Sequence, residues 1–553
     1  MPPAPPASFD AIPQEILSEI AIYLATDTFL GPPSAILPLI STNRWLYSCL
    51  SFHSNPYVYA KIYESKFDLS PAFRRLGITS FATTTLAREL KRRCILLDRI
   101  RHRQLSSRGH GANGNVDDDE ELGELLAQIY LMVVENDGNN ERQLREYGQI
   151  EEWLMEYWLD EHGASGSLQD MQKGIWPAHN ETNCLAMWLY WFLLRPEKYA
   201  REATFTRRAL DILKVYALGA HWYPLVTPLW TEFISPSSTD GAPLLMYNSK
   251  LSIKAPALAV PAILAFISLL SHLVERTDFS TPVVPSHASP PRKALLESIG
   301  NEWEYEWGRS TSLGTQKLPA NNILSDAFRP GSAEGIWEGI FTYTEFTSYA
   351  ALLSGAPPQF LQNVLVAQHK QTWKLREHHL LSPSFSSSDF CPLEEHGDGK
   401  NVDYPEPISP GNALHAYFPI GTHIEENVQG ITVIEPGSGK KPLFYERCGS
   451  HQGKVKHVEA KEVVTAKRRV LDIVITGEGH SSWGEFRLIG RVRPRDGFIS
   501  LSKDYINGDR GKWLYRGYLV GNLNPNLAGR WRDTLSPATV PGYEGCFTMS
   551  RRR

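Results

Sequence analysis

The sequence predicts an α+β, multidomain chain: a helical N-terminal part, a helical middle region, then a C-terminal antiparallel β-barrel or sandwich. Two patterns and one quantity predict it. As far as about residue 275, apolar residues recur at three- and four-residue spacing, as they do on helices that bury one face. From Gly335 onward the pattern turns to alternation, and glycines punctuate the runs. The chain has 553 residues, 42% of them hydrophobic, which is enough for more than one core.

The first element is "FDAIPQEILSEIAIYL". Ile12, Ile16, Leu17, Ile20, Tyr23 and Leu24 follow helical spacing. Pro13 suits the first helical position, where a missing N–H costs nothing. Glu15 suits the positive end of the helix dipole. The stretch is too apolar for a helix with only one shielded face. Ser34 is placed to cap a second helix, "AILPLISTNRWLYSCL", and "SNPYVYAKIYESKF" supplies a third. These fill a predicted unit over 9–78.

Residues 85–120 read as a basic helix and a loop. Eight Lys and Arg between 85 and 110 face only Glu89 and Asp98, yet Leu86, Leu90, Ile95, Leu96, Leu97 and Ile100 share the stretch. An amphipathic helix with a solvated basic face is expected, ahead of a nucleic-acid patch. The loop "SSRGHGANGNVDDDEE" follows. Residues 121–275 are expected to be all helical. Within them "APALAVPAILAFISLLSHLV" (255–274) carries no charge over 20 positions. That is long enough for a bilayer, but Pro256 and Pro261 interrupt it, and a buried core helix is expected. A linker and peripheral segments are expected over 276–333.

Residues 334–553 are expected to form the β-domain. "GIWEGIFTYTEF", "GITVIEP", "PLFYER", "RRVLDIVITG", "GEFRLIGRVR", "GFISLS", "GKWLYRGYLVGN", "AGRWRDTL" and "GYEGCFTMS" are its strands. In "WLYRGYL", Trp513, Tyr515, Gly517 and Leu519 share one face, with Arg516 and Tyr518 on the other. Repeated glycine–tryptophan units fit barrel corners, where glycine lets a strand coil sharply. A Ser/Pro/Gly-rich insertion is expected over 381–412.

Charge and cysteine content limit the function classes. A net charge of −5 gives no case for nucleic-acid or membrane-surface binding. The six cysteines form no CxxC pair, which argues against a zinc cluster or disulfide frame and for a reducing compartment. No signal-peptide pattern opens the sequence, so cytoplasm or nucleus is expected. GxSxG and HExxH are absent, and "EPGSGKKP" lacks the first glycine and the Ser/Thr of a phosphate loop. His378 and His379 in "REHHL" read as partly exposed polar residues. Glu302, Glu304 and Glu306 alternate with Trp303, Tyr305 and Trp307, which raises a carbohydrate hydrolase as a minor alternative on a strand edge. No catalytic residue, metal or cofactor is expected. Arg487, Arg491, Arg493 and Arg495 alternate along a strand, either covering an outer face or lining a mouth for acidic groups.

The opening "IPQEILSEIAIYL" resembles an F-box, whose usual form is Leu-Pro-x-Glu-[Ile/Leu]-[Leu/Ile]-x-x-Ile-x-x-[Tyr/His]-Leu. Ile12, Pro13, Glu15, Ile16, Leu17, Ile20, Tyr23 and Leu24 carry the match. The following "ILPLISTNRWLYSCLSFHSNPYVYAKIYESKFD" is similar to the later F-box helices of fungal members. The loop "ATDTFLGPPSA" is longer than in a compact F-box. The resemblance implies a substrate receptor of a cullin–RING ubiquitin ligase, docked on a Skp-type adaptor. The implied adaptor contacts are Ile12, Pro13, Ile16, Leu17, Ile20, Leu24, Ile40 and Leu46. "GHSSWGEFRLIGRVRPRDGFISLSKDY" and "GRWRD…GYEGCFTMSRR" are similar to lipocalin-like barrels that end some of these proteins. A client site on the barrel is then expected, with Arg487, Arg491, Arg493 and Trp513 as its candidates. A barrel that binds a small apolar ligand is the leading alternative.

Overall fold

The computed structural model describes residues 12–107, 116–199, 203–225, 242–277, 303–314, 324, 327–382, 405–437, 439–449, 468–508, 510–522 and 525–552. The linker "STPVVPSHASPP", Glu302, the tip of the 105–120 loop and most of the 381–412 insertion lie outside them.

Local sequence signals set the helix starts. Helix α1 (Gln14–Thr26) begins after Pro13 with Glu15 in its first turn. Short helices α2 (Ile36–Ser41) and α3 (Arg44–Leu50) follow. Asn43 caps α3 by accepting a 2.8 Å bond from the Leu46 amide. Asn55 caps α4 (Pro56–Lys66), with proline at the first position. Then come α5 (Ser70–Leu76), α6 (Thr83–Arg101), α7 (Val116–Val134) and α8 (Asn139–Arg142), which runs into a π-helical turn. Helices α9 (Ile150–Leu159), α10 (Ser167–Gln172), α11 (Glu181–Phe192), α12 (Pro196–Tyr199) and α13 (Ala203–Leu218) complete the run.

The middle region is not all helical. Strands β1 (Ala242–Met246) and β2 (Ser249–Ile253) form a hairpin through Tyr247 and Asn248, both with positive φ. Helix α14 (Ala259–Thr277) then fills the apolar segment, with Pro261 in its tolerant first turn. Val260, Ile263, Leu264 and Leu269 are buried in protein, and no described helix is long and apolar enough to cross a membrane. The basic helix α6 is less solvated than its composition suggests. Leu86, Leu90, Leu96, Leu97 and Ile100 are buried, and Arg93 goes in with them. The acidic stretch near 304 is helix α15 (Glu304–Gly314), not a strand edge.

The C-terminal part is a closed, eight-stranded antiparallel barrel. Its strands are β3 (Gly335–Thr344), β4 (Val366–Leu381), β8 (Val470–Ser481), β9 (Gly484–Val492), β10 (Phe498–Tyr505), β11 (Lys512–Val520), β12 (Asn526–Asp533) and β13 (Glu544–Arg551). Each pairs with its neighbour in that order, and β13 returns to β3 to close the ring. Between β4 and β8 lie β5 (His423–Glu426), β6 (Gly430–Ile434) and β7 (Leu443–Arg447). They extend the sheet sideways. β4 is long enough to pair with β3 over its first part and with β7 at His378 and His379. Helices α16 (Phe346–Leu353) and α17 (Phe360–Asn363) bridge β3 and β4.

The barrel interior is packed. Trp337, Phe341, Trp373, Ile473, Ile475, Phe486, Leu501, Tyr515, Trp531 and Phe547 belong to one buried cluster. Gly517 and Gly529 face each other across β11 and β12. A Cβ on Gly529 would lie 1.9 Å from the Arg516 carbonyl oxygen, so the two strands approach as only glycine permits. The outer face of β10–β13 is covered by the helical part. Phe498, Tyr518, Val520, Ala528 and Cys546 join the helical core.

Candidate functional site

Helix α1 has two apolar faces with different fates. Leu17, Ala21 and Ala25 are buried, and the helix packs on α4. Leu17 is only 1% exposed. Ile16, Ile20, Tyr23 and Leu24 point outward, at 51%, 39%, 73% and 36% exposure. Their spacing of four, three and one keeps them on one side of the helix. Leu37 on α2 and Tyr47 on α3 are exposed too. Pro13 is exposed, while Ile12 and Ile40 are half-buried.

Two of the implied adaptor contacts are therefore internal. Leu17 and Leu46 face the chain's own core and support the exposed side chains from beneath. The underlying frame is well tied. Asn55 Nδ2 donates to Ser18 Oγ at 3.1 Å. Lys66 Nζ reaches into the long α1–α2 loop and donates to the Thr28 carbonyl at 2.5 Å and the Phe29 carbonyl at 3.2 Å. Gln143 completes the clamp: its Nε2 donates to the Phe29 carbonyl and its Oε1 accepts from the Gly31 amide, both at 2.8 Å. The Arg142 guanidinium sits over the Phe29 ring, 4.4 Å from its centroid.

The arginine stripe divides. Arg487 is exposed. Arg491 is buried on the barrel's outside, beneath the 408–418 segment, and donates to the carbonyls of Ile408 (2.9 Å), Ser409 (3.1 Å) and Tyr417 (3.0 Å). Asp472 lies 3.4 Å away. Arg493 forms a two-pronged pair with Asp496, at 2.7 and 2.6 Å. Both are committed to holding the fold, which withdraws them from a client surface. Trp513 is half-buried, donates to the Arg510 carbonyl at 2.8 Å, and packs edge-on to Trp531. Arg487 and Trp513 remain within reach of a partner.

His378 and His379 are buried rather than partly exposed. His378 Nε2 lies 2.9 Å from Thr476 Oγ1, and burial pushes its imidazole down to about 4. Glu306 is fully buried and paired with Arg309 at 2.7 Å. Glu304 bonds Arg75 at 3.0 Å. These two acids serve the packing of α15, so the carboxylate pair a hydrolase reading needs does not form from them. Among the described residues no three His, Cys, Asp or Glu side chains gather as a metal site would require.

One interior residue had no sequence signal. Lys503 on β10 is buried inside the barrel. Its ammonium sits 3.9 Å from the Phe486 ring centre and about 5 Å from those of Phe341, Tyr505 and Tyr515. Gln371 Oε1 accepts from it at 3.3 Å. Burial pushes its pKa down to about 7. Trp337, Trp373 and Trp531 belong to the same buried interior cluster as those rings, so the interior is filled by side chains.

No family model, curated protein or solved structure matches the chain.

Proposed function

We propose that the chain is a substrate-receptor subunit of an SCF-type ubiquitin ligase. It holds a Skp-type adaptor, itself bound to a cullin scaffold, through α1 and its neighbours. It presents a protein client through the β-domain and performs no chemistry itself. Ubiquitin transfer gains from the proximity it enforces.

What supports the reading most is the outward face of α1. Ile16, Ile20, Tyr23 and Leu24 stand in water on a helix whose opposite face is already buried. An apolar helix face suits a groove on another protein. Burying each large apolar side chain contributes roughly 1.5–3 kcal/mol before association costs are subtracted. The packed barrel interior weakens the apolar-ligand alternative.

The test is co-purification of the full chain with the adaptor. Ile16→Asp combined with Ile20→Asp should abolish it while circular dichroism stays unchanged. Retention of the adaptor by the folded double variant would remove the reading. For the client, the expected readout is a protein that accumulates when residues 12–50 are deleted and is retained by the full chain. Arg487→Glu should weaken that retention.

A further inference from the structure

Where the barrel meets the helical body there is a cavity of about 240 Å³. Its barrel wall carries three arginines: Arg516 on β11, and Arg530 and Arg532 on β12. His221 and Ala220 close it from the helical side. All three arginines are buried.

Arg516 and Arg530 are directly opposite one another on adjacent strands. Like charges in that relation destabilise a sheet pair. Arg530 is fixed by backbone: it donates to the carbonyls of Ala217 and Tyr216 at 2.9 Å, and to that of Tyr223. None of these neutralises its charge. Arg532 Nη2 is likewise spent on the carbonyls of Ser536, Pro537 and Val540, but its Nε is buried with no hydrogen-bond partner among the described residues. Among the described residues, Arg516 comes no nearer to a carboxylate than 4.0 Å, at Glu544. The Asp533 carboxylate is taken by the amides of Leu535, Ser536 and Tyr543. His221 Nε2 is buried and has no partner among the described residues either, and the ring is held edge-on against Trp176.

The cavity is also lined by the Glu544 carboxylate, yet its three arginines leave surplus positive charge, with an arginine N–H and an imidazole nitrogen left unused. A buried donor without an acceptor is destabilising, and a planar guanidinium fork fits an oxyanion in two-pronged fashion. We propose that this cavity binds a small oxyanion of the phosphate class, gripped by Arg516 with Arg532 and His221 beside it, and that the anion ties the barrel to the helical body. Donors converge from two strands and from the 220–225 turn. A tetrahedral anion offers acceptors in those several directions, whereas a carboxylate offers two oxygens in one plane. The inference is independent of the adaptor reading.

The experiment uses the full chain in chloride buffer at fixed ionic strength, with inorganic phosphate as the probe. Calorimetry should show saturable one-to-one binding, with sulfate competing and acetate failing to compete. Phosphate should raise the melting temperature. Arg516→Gln should weaken binding by about tenfold or more and, in chloride, melt no lower than the parent because a cross-strand repulsion is gone. If that variant does not fold, Arg516→Lys keeps the charge and removes the fork, and it too should weaken binding. Absence of saturable phosphate binding by the parent overturns the proposal. So does unchanged affinity in the folded Arg516 variant, or preference for acetate.

Discussion

Arg93 and Glu135 meet at 2.6 Å in the middle of the helical body, both buried, and Tyr247 donates its hydroxyl to the other oxygen of the same carboxylate at 2.6 Å. The three residues come from α6, the position just past the end of α7, and the β1–β2 hairpin. Asn140 and Tyr63 complete the network, at 3.0 Å from Arg93 and 2.5 Å from the Tyr247 hydroxyl. The basic helix is thereby locked into the core through one of its own charges.

Removing one partner of such a pair strands the other in a dry interior. Glu135→Ala is expected to destabilise the helical body by about 3–5 kcal/mol. Replacing both, Arg93→Met with Glu135→Leu, should cost far less, since no charge is left behind. Urea denaturation followed by circular dichroism compares the midpoints. A single variant as stable as the parent would show that the pair is not buried as described.

Neighbouring positions on α1 should behave oppositely. Leu17 is buried in the core beneath α1, and Ile16 faces water. Leu17→Ala should cost about 2–5 kcal/mol, and Ile16→Ala within roughly 0.5 kcal/mol. Only the second is expected to weaken adaptor capture without loss of fold. Thermal melting beside pull-down separates the two effects, and equal melting losses at both sites would contradict the assignment of faces.

The sequence made the helix-to-strand division legible because periodicity reports which face is buried. It showed the alternation of β11 for the same reason. It hid β4, "VAQHKQTWKLREHHLL", because two layers cover the end of that strand. Trp373 and Leu375 point into the barrel and Lys374 points out, but Glu377, His378 and His379 are buried beside Cys448, Thr476 and the end of β7. Alternation fails where both faces are covered. Arg491 misled for a related reason. Its place on the outer face was readable, but the 408–418 segment that buries it comes from a distant stretch of the chain. The β1–β2 hairpin escaped because its turn is Tyr247–Asn248, without the glycine that usually marks a two-residue loop. On α1 the apolar spacing was plain, but spacing alone does not say which of two apolar faces the chain keeps for itself.

Gly31 should control the α1–α2 loop. Its φ is +71°, and an added Cβ would stand 2.3 Å from the Tyr147 ring. Gly31→Ala therefore combines a left-handed backbone, at roughly 1–2 kcal/mol, with displacement of that ring. The Gln143 clamp should loosen with it. Amide exchange over 28–36 is expected to speed up while the β11 and β12 amides keep their protection. Unchanged exchange at 28–36 would mean that the loop is held elsewhere.

Lys503 gives the barrel a pH signature of its own. Its pKa is lowered by burial from the ordinary 10.5 to about 7. Below pH 7 it is protonated in folded and unfolded chains alike, and folding must bury the charge. Between about 7 and 10.5 the unfolded chain still holds the proton and the folded chain has lost it. The unfolded state binds more protons there, so stability rises with pH, by at most about 1.4 kcal/mol per unit from this one group. The surrounding rings favour the ammonium and return part of the burial cost. Lys503→Met fills a similar volume without a charge. The variant is expected to be more stable than the parent at pH 6, with the gap closing steadily toward pH 10. The measurement is the difference in urea midpoint between the two proteins across that range, which cancels every other titrating group. A difference that stays flat would show that Lys503 keeps its proton inside the barrel, and that the four aromatic faces outweigh its desolvation.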